Sequence, residues 1–161
     1  MYDHHLRFCP QGNRVFDELS VKENLEIGGY ILIKDKAKTR IDEMLEIFPL
    51  LIERLKQESG SLSGGEQQML AVARALIPEA NLLLLDEPSL GLAPNLIKDL
   101  FEKFVELNHK LGITILIVEQ KVKEVLSILN RTYGLKLGRI AYEGPAKDLM
   151  DNREILKNLF L

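Results

Sequence analysis

The 161-residue chain has a single cysteine, Cys9, and no tryptophan. One cysteine excludes an internal disulfide and fits a reducing compartment. Cys9 reads more readily as a small buried hydrophobe than as a reactive thiol. A surplus of one charge is also missing: the formal net charge is −3, and basic residues are scattered among acidic ones. That removes the electrostatic case for nucleic acid or for an anionic membrane surface. Long apolar runs are lacking. Leu82–Leu85 and Ile113–Val118 are far too short to span a bilayer, and "MYDHHLRFCPQG" lacks the apolar core of a signal peptide. There is no direct membrane span, so a membrane role would go through a partner. Histidine is sparse: His4, His5 and His109 make no metal-binding spacing, and no Ser/His/Asp order suggests a nucleophilic triad.

What is present suits a globular domain with a sizeable core. The first half reads as helical. In "LSVKENLEIGGY", Ser20 and Glu23 form the S-x-x-E of a capping box. Ile41, Met44, Leu45 and Phe48 recur at helical spacing, Pro49 interrupts, and "LLIERLKQES" predicts another short helix. No segment of this half reads as a strand. The second half alternates. Ser63 caps a helix to about Leu76, and "NLLLLDEP" and "GITILIVEQ" are continuous apolar runs. Such runs suggest strands buried on both faces of a parallel sheet. Pro94 begins a helix between them, Val122, Val125, Leu126 and Leu129 mark the next, and "TYGLKLGRIAYEG" predicts a hairpin around Gly138 before a polar helical tail. Strand, helix and strand in that order predict an α/β fold.

Two constellations could carry chemistry. Asp86 and Glu87 end an apolar strand, and ligands of α/β sheets bind at the carboxyl ends of strands. Burying two acids without a cation would cost several kcal/mol. The pair is therefore either a Mg²⁺ or phosphate site or a strand end left in solvent. The second is "GSLSGGEQQ", residues 60–68. Its glycines have the G-x-x-x-x-G spacing of a P-loop, but Glu66 and Gln67 stand where Lys and Ser or Thr are required. No G-x-x-x-x-G-K-[ST] occurs in the chain. Ser63 and Glu66 make a capping box, and a helix N-terminus beside two glycines suits an anion. A well-capped helix after a flexible loop accounts for the same residues.

The order of these motifs is more telling than any one of them. "LSGGEQQMLAVARAL", "LLLLDEPSLGLAP" and "ILIVEQ" together resemble the ATP-binding subunits of ABC transporters. "LSGGEQQ" is similar to the signature motif, "LLLLDE" to Walker B plus the catalytic glutamate, and "PQG" to the Q-loop. Within the family, "GNRVFDELSVKENLEIGGY", "DEPSLGLAP" and "VEQK" resemble the ATPase subunits of branched-chain amino acid importers.

The resemblance implies a partial P-loop NTPase sheet with a helical subdomain and a C-terminal hairpin. Residues 1–12 would be residual core with the Q-loop, 13–60 the helical subdomain, and 61–161 the C-terminal part of the ATPase core. It implies ATP and Mg²⁺ as ligands. Asp86 would hold Mg²⁺, mostly through water, and Glu87 would polarise the attacking water. Gln11 would sense the γ-phosphate and Mg²⁺. Ser63, Gly64 and Gly65, with Gln67 beside them, would bind ATP held by the opposite subunit. Gln120 stands where many members have a switch histidine; it can hydrogen-bond the γ-phosphate without carrying a proton. Ala93 replaces an aspartate common in the dimer-contacting loop. The implied partners are transmembrane permease subunits and a second ATP-binding subunit, in a homo- or heterodimer at the cytoplasmic face of the membrane.

The family's adenine-stacking aromatic and Walker A loop have no counterpart, so the chain is expected to be a C-terminal portion that is inactive alone and exposes an apolar sheet edge. The alternative is a non-catalytic module that lends its signature loop to a full-length partner.

Overall fold

The computed structural model describes residues 5–12, 14–152 and 154. The chain divides into two units, residues 1–119 and 120–161.

In the first unit, strands β1 (Leu6–Cys9), β2 (Leu82–Asp86) and β3 (Thr114–Val118) form a sheet in the order β1-β2-β3. Both pairings are parallel, with Cys9 opposite Leu85 and Asp86 opposite Val118. β1 corrects the sequence reading, which places no strand in the first half. "LRFC" is only four residues long and carries Arg7 in its middle, so its own pattern is too short to speak; the β2 ladder makes it a strand. Its outward-facing neighbours also overturn the expectation of a sheet covered on both faces. Side chains alternate across a strand. Leu83 and Leu85 are buried at 0% and 1%, while on the other face Phe8 is 54%, Leu116 51% and Val118 56% exposed. One face of the sheet is packed and the other is bare.

The packed face belongs to helices α3 (Gly64–Leu76) and α4 (Pro94–Leu111). α3 buries Met69, Leu70, Ala71, Val72, Ala73 and Leu76, nearly its whole circumference, as a helix enclosed on all sides must. α4 buries a single stripe: Ile97, Leu100, Phe101, Phe104 and Leu107. Pro94 opens it where no N–H partner is needed, and Gly112 closes it at φ 64, in the left-handed conformation that glycine adopts without strain.

Helices α1 (Val21–Gly28) and α2 (Lys34–Ile47) complete this unit. Ser20 and Glu23 form the expected reciprocal capping box, with Ser20 N–H donating to Glu23 Oε2 at 2.8 Å. In α2 the buried positions are Met44 and Ile47, continued by Phe48 and Leu51, while Leu45 is only half-buried. The segment expected as a further helix is a 3₁₀ turn, Pro49–Arg54. A buried asparagine ties these pieces together. Asn24, 0% exposed, accepts from Phe16 N–H at 2.9 Å and Arg74 Nη1 at 3.1 Å. Its Nδ2 donates to Ser59 Oγ at 2.9 Å and Phe16 O at 3.0 Å. Arg74 also donates to the Arg14 carbonyl and lies 4.8 Å over the Phe16 ring. One amide thus joins the segment after Gln11, helix α1, the turn before α3, and α3 itself.

The second unit contains α5 (Val122–Leu126), an antiparallel hairpin of β4 (Arg131–Lys136) and β5 (Arg139–Pro145), and α6 (Ala146–Asp151). Leu126, Ala146 and Leu149 form its core, with Val122, Leu129 and Tyr142 against them. The hairpin turns at Leu137 and Gly138, both at positive φ, as a two-residue turn matched to strand twist requires. The end of the expected polar tail, beyond residue 154, lies outside the described residues.

Candidate functional site

Parallel strands put their carboxyl ends on one edge of the sheet. β1 is followed by Gln11, and β2 ends in Asp86 and Glu87. The structure brings these together: Gln11 Nε2 donates to Glu87 Oε2 at 3.1 Å across 76 residues of sequence. Gln11 is exposed, and Asp86 and Glu87 are half-buried, so the corner is open to a ligand.

The backbone at this corner is strained. Glu87 has φ 44, a left-handed conformation that costs a non-glycine residue on the order of 1–3 kcal/mol and concentrates at functional sites. Its neighbours over-determine it. Glu87 N–H donates to Val118 O at 2.8 Å, and Leu90 N–H returns to Glu87 O at 3.0 Å. Pro88 follows, and Ser89, fully buried, donates its N–H to Glu119 Oε1 at 2.8 Å. The end of β3 therefore grips the turn on both sides of Glu87. Sequence reasoning passed over Ser89 and Glu119. The available signal was Glu119 itself, an acid directly after an apolar strand, the same pattern that singled out Asp86.

The residues at the head of α3 form a second locus. Ser63 caps the helix, with Glu66 Oε2 accepting from Ser63 N–H at 2.8 Å and Ser63 Oγ accepting from Glu66 N–H. Glu66 also meets Arg54 Nε at 3.3 Å. Burial raises the Glu66 pKa, but the Ser63 bonds and Arg54 outweigh it and hold the carboxyl below its ordinary value. The two glycines differ. Gly64 is exposed, whereas Gly65 is buried, and a Cβ there would sit 3.1 Å from Leu96 Cδ1. A side chain at Gly65 would thus press on Leu96 of α4. Gln67 Nε2 donates to Ser59 O at 3.0 Å, tying the helix to the preceding turn. Gln120 opens the second unit, exposed, with its carbonyl accepting from Val122 N–H at 3.0 Å.

No cluster of three or more His, Cys, Asp or Glu side chains able to hold a metal occurs among the described residues. The half-buried Asp86 carboxylate at the end of β2 suits Mg²⁺ in its usual mode, one or two protein oxygens completed by water and substrate phosphates, and not a self-sufficient protein cage.

The profile of the family described as "ABC transporter" matches residues 1–90. The high-affinity branched-chain amino acid transport ATP-binding protein BraG of Pseudomonas aeruginosa is 46% identical over 146 residues, covering 91% of this chain and 62% of the relative. The probable branched-chain amino acid transport ATP-binding protein LivF of Archaeoglobus fulgidus is 42% identical, covering 94% and 64%. The chain thus spans under two thirds of the length of these relatives. Among solved structures, CbiO1 of Clostridium perfringens, part of an ABC transporter complex, superposes with a TM-score of 0.83 at 26% identity, over 96% of this chain and 61% of that one. The ADP conformation of the ATP-binding cassette MJ1267 gives 0.82 at 26% identity, over 97% and 68%. With its motifs in family order on an α/β sheet, the chain belongs to the ABC transporter family.

Proposed function

We propose that the chain is the C-terminal portion of the ATP-hydrolysing subunit of an importer for branched-chain amino acids, divided near residues 12 and 60 into core, helical subdomain and core. The Gln11–Glu87 hydrogen bond at the carboxyl ends of parallel strands carries the reading. It joins the two sequence motifs that ATP hydrolysis requires to act together. Phosphoryl transfer asks mainly for positioning and charge stabilisation. Bound Mg²⁺ would supply positive charge to the phosphates, held by Asp86 with Gln11. Glu87 would orient the attacking water and draw its proton, and Gln11 would hold the Glu87 carboxylate in place until phosphate arrives. Ser63, Gly64, Gly65 and Gln67 would face ATP on a second subunit, and Gln120 would hydrogen-bond the γ-phosphate.

The partner half of the reading draws support from one observation. The loop between α1 and α2 presents Tyr30 at 82% and Ile33 at 77% exposure, a small apolar face suited to a permease subunit.

The test has two arms. ATP turnover by the chain alone is expected at background; Mg²⁺-dependent turnover that Glu87→Gln abolishes would sink the claim of inactivity. Joined to the N-terminal part of the P. aeruginosa relative, the chain should restore branched-chain amino acid uptake to a strain lacking that relative, and Glu87→Gln should remove it. Uptake restored for another solute but not for leucine would refute the substrate class.

A further inference from the structure

Glu119 has a place in this site that neither its sequence position nor the motif roles above explain. Its carboxylate accepts the N–H of Ser89 at 2.8 Å, thirty residues away, from a donor that is fully buried. Ser89 is two residues beyond Glu87, whose backbone stands at φ 44. One residue before Glu119, the Val118 carbonyl accepts the Glu87 N–H at 2.8 Å. The same strand end thus holds the turn at two points, one by main chain and one by a side chain. Main-chain bonds from Leu90 N–H to Glu87 O at 3.0 Å and from Leu92 N–H to Ser89 O at 3.2 Å also hold the turn; the Glu119 contact adds an anchor at the Ser89 amide, and a left-handed residue persists only where its neighbours over-determine it.

We propose that Glu119 is a positioning residue for Glu87. It acts through the Ser89 amide to fix the turn that aims the Glu87 carboxylate at Gln11. Glu119 touches no reacting group in this scheme. The inference rests on the functional reading only for its kinetic consequence; the structural linkage stands apart from it. Glutamine retains a carbonyl oxygen at the same reach and should preserve the contact, whereas aspartate is one methylene short and alanine has no acceptor.

The test is hydrogen exchange, resolved to single amides, on the whole chain and its Glu119→Gln, Glu119→Asp and Glu119→Ala variants. Loss of the contact should speed exchange at Ser89 and Leu90 by about tenfold in the Ala and Asp variants. The Gln variant and the β2 amides of Leu83 and Leu85 should stay at the parent rates. Unchanged exchange at Ser89 in both shortened variants overturns the proposal. So does uniform acceleration through β2 in both, which marks a general packing role. In the chimera described above, Glu119→Ala should lower kcat by a factor on the order of 10–100 with KM for ATP within about twofold, and Glu119→Gln should restore it. A KM effect without a kcat effect refutes positioning. A chimera inactive with the native glutamate would count against the functional reading and leave the exchange result to decide this one.

Discussion

Asn24→Ala should be strongly destabilising in the helical half of the chain. The replaced amide accepts from Phe16 N–H and Arg74 Nη1 and donates to Ser59 Oγ and Phe16 O, all around a side chain 0% exposed. Leaving a buried donor without its acceptor costs about 1–3 kcal/mol, more when the donor is charged. Two stranded donors, one of them a guanidinium, give about 3–4 kcal/mol. Alanine recovers roughly 0.5 kcal/mol of helix propensity within α1, leaving a net loss of about 3 kcal/mol. For a unit of this size each kcal/mol moves the melting temperature by roughly 4 °C, so calorimetry should show a fall of about 12 °C. Asn24→Asp keeps both acceptor contacts but turns a carboxylate oxygen toward the Phe16 and Ser20 carbonyls at a fully buried position, so it too should lower the melting temperature. A fall under about 3 °C for the alanine variant would refute the assignment of Asn24 as the tie between α1, α3 and the preceding segment.

Gly28→Ala places a Cβ 2.6 Å from Arg74 O and 2.9 Å from Arg74 Cγ; overpacking of about 1–3 kcal/mol exceeds the propensity gain of about 1 kcal/mol, so the urea midpoint should drop, and an unchanged midpoint would show that α1 and α3 can separate freely. The Glu66 carboxyl is held below its ordinary value of 4.5, so its stabilising share is fully present above that pH and is lost as pH falls through the lower folded value. Glu66→Gln should therefore lower stability at pH 7 but not at the acid end, and a difference independent of pH would contradict the Ser63 and Arg54 contacts. Burial pushes the Cys9 thiol up to about 11 against the opposing charge of Arg74, so disulfide-exchange labelling at pH 8 should run roughly two orders of magnitude slower than in the unfolded chain. Equal rates would mean that β1 opens readily.

The features legible in the sequence are those whose determinants lie within one turn of chain. Ser20 with Glu23 and Ser63 with Glu66 announce their helices because cap and reciprocal acid stand three residues apart. Pro94 marks the start of α4 for the same reason. Asp86 and Glu87 stood out because acids are costly at the end of an apolar strand. What escaped depends on distant partners. β1 exists through its register with β2, 76 residues on. Asn24 looks like an ordinary polar helix residue until Ser59 and Arg74 arrive from elsewhere. The closeness of Gly65 to Leu96 on α4 is likewise set by a distant element. The continuous apolar run of β2 announces two apolar faces and carries no information about which of them this chain covers.

The bare face of the sheet also carries Asp86. By the alternation of β2 its side chain shares that face with Leu84, and its register partner is Val118, 56% exposed. Any surface that settles on this face to take Leu84 and Val118 out of water lowers the dielectric around the carboxylate in the same movement. A carboxylate dried without a counter-ion is costly by several kcal/mol. If Asp86 holds Mg²⁺ as proposed above, covering the face and capturing the cation are linked equilibria. The cover should form more tightly when Mg²⁺ is present, and the ion should bind more tightly once the cover is closed. A sheet clothed on one side would thus make the proposed metal site depend on what lies over it.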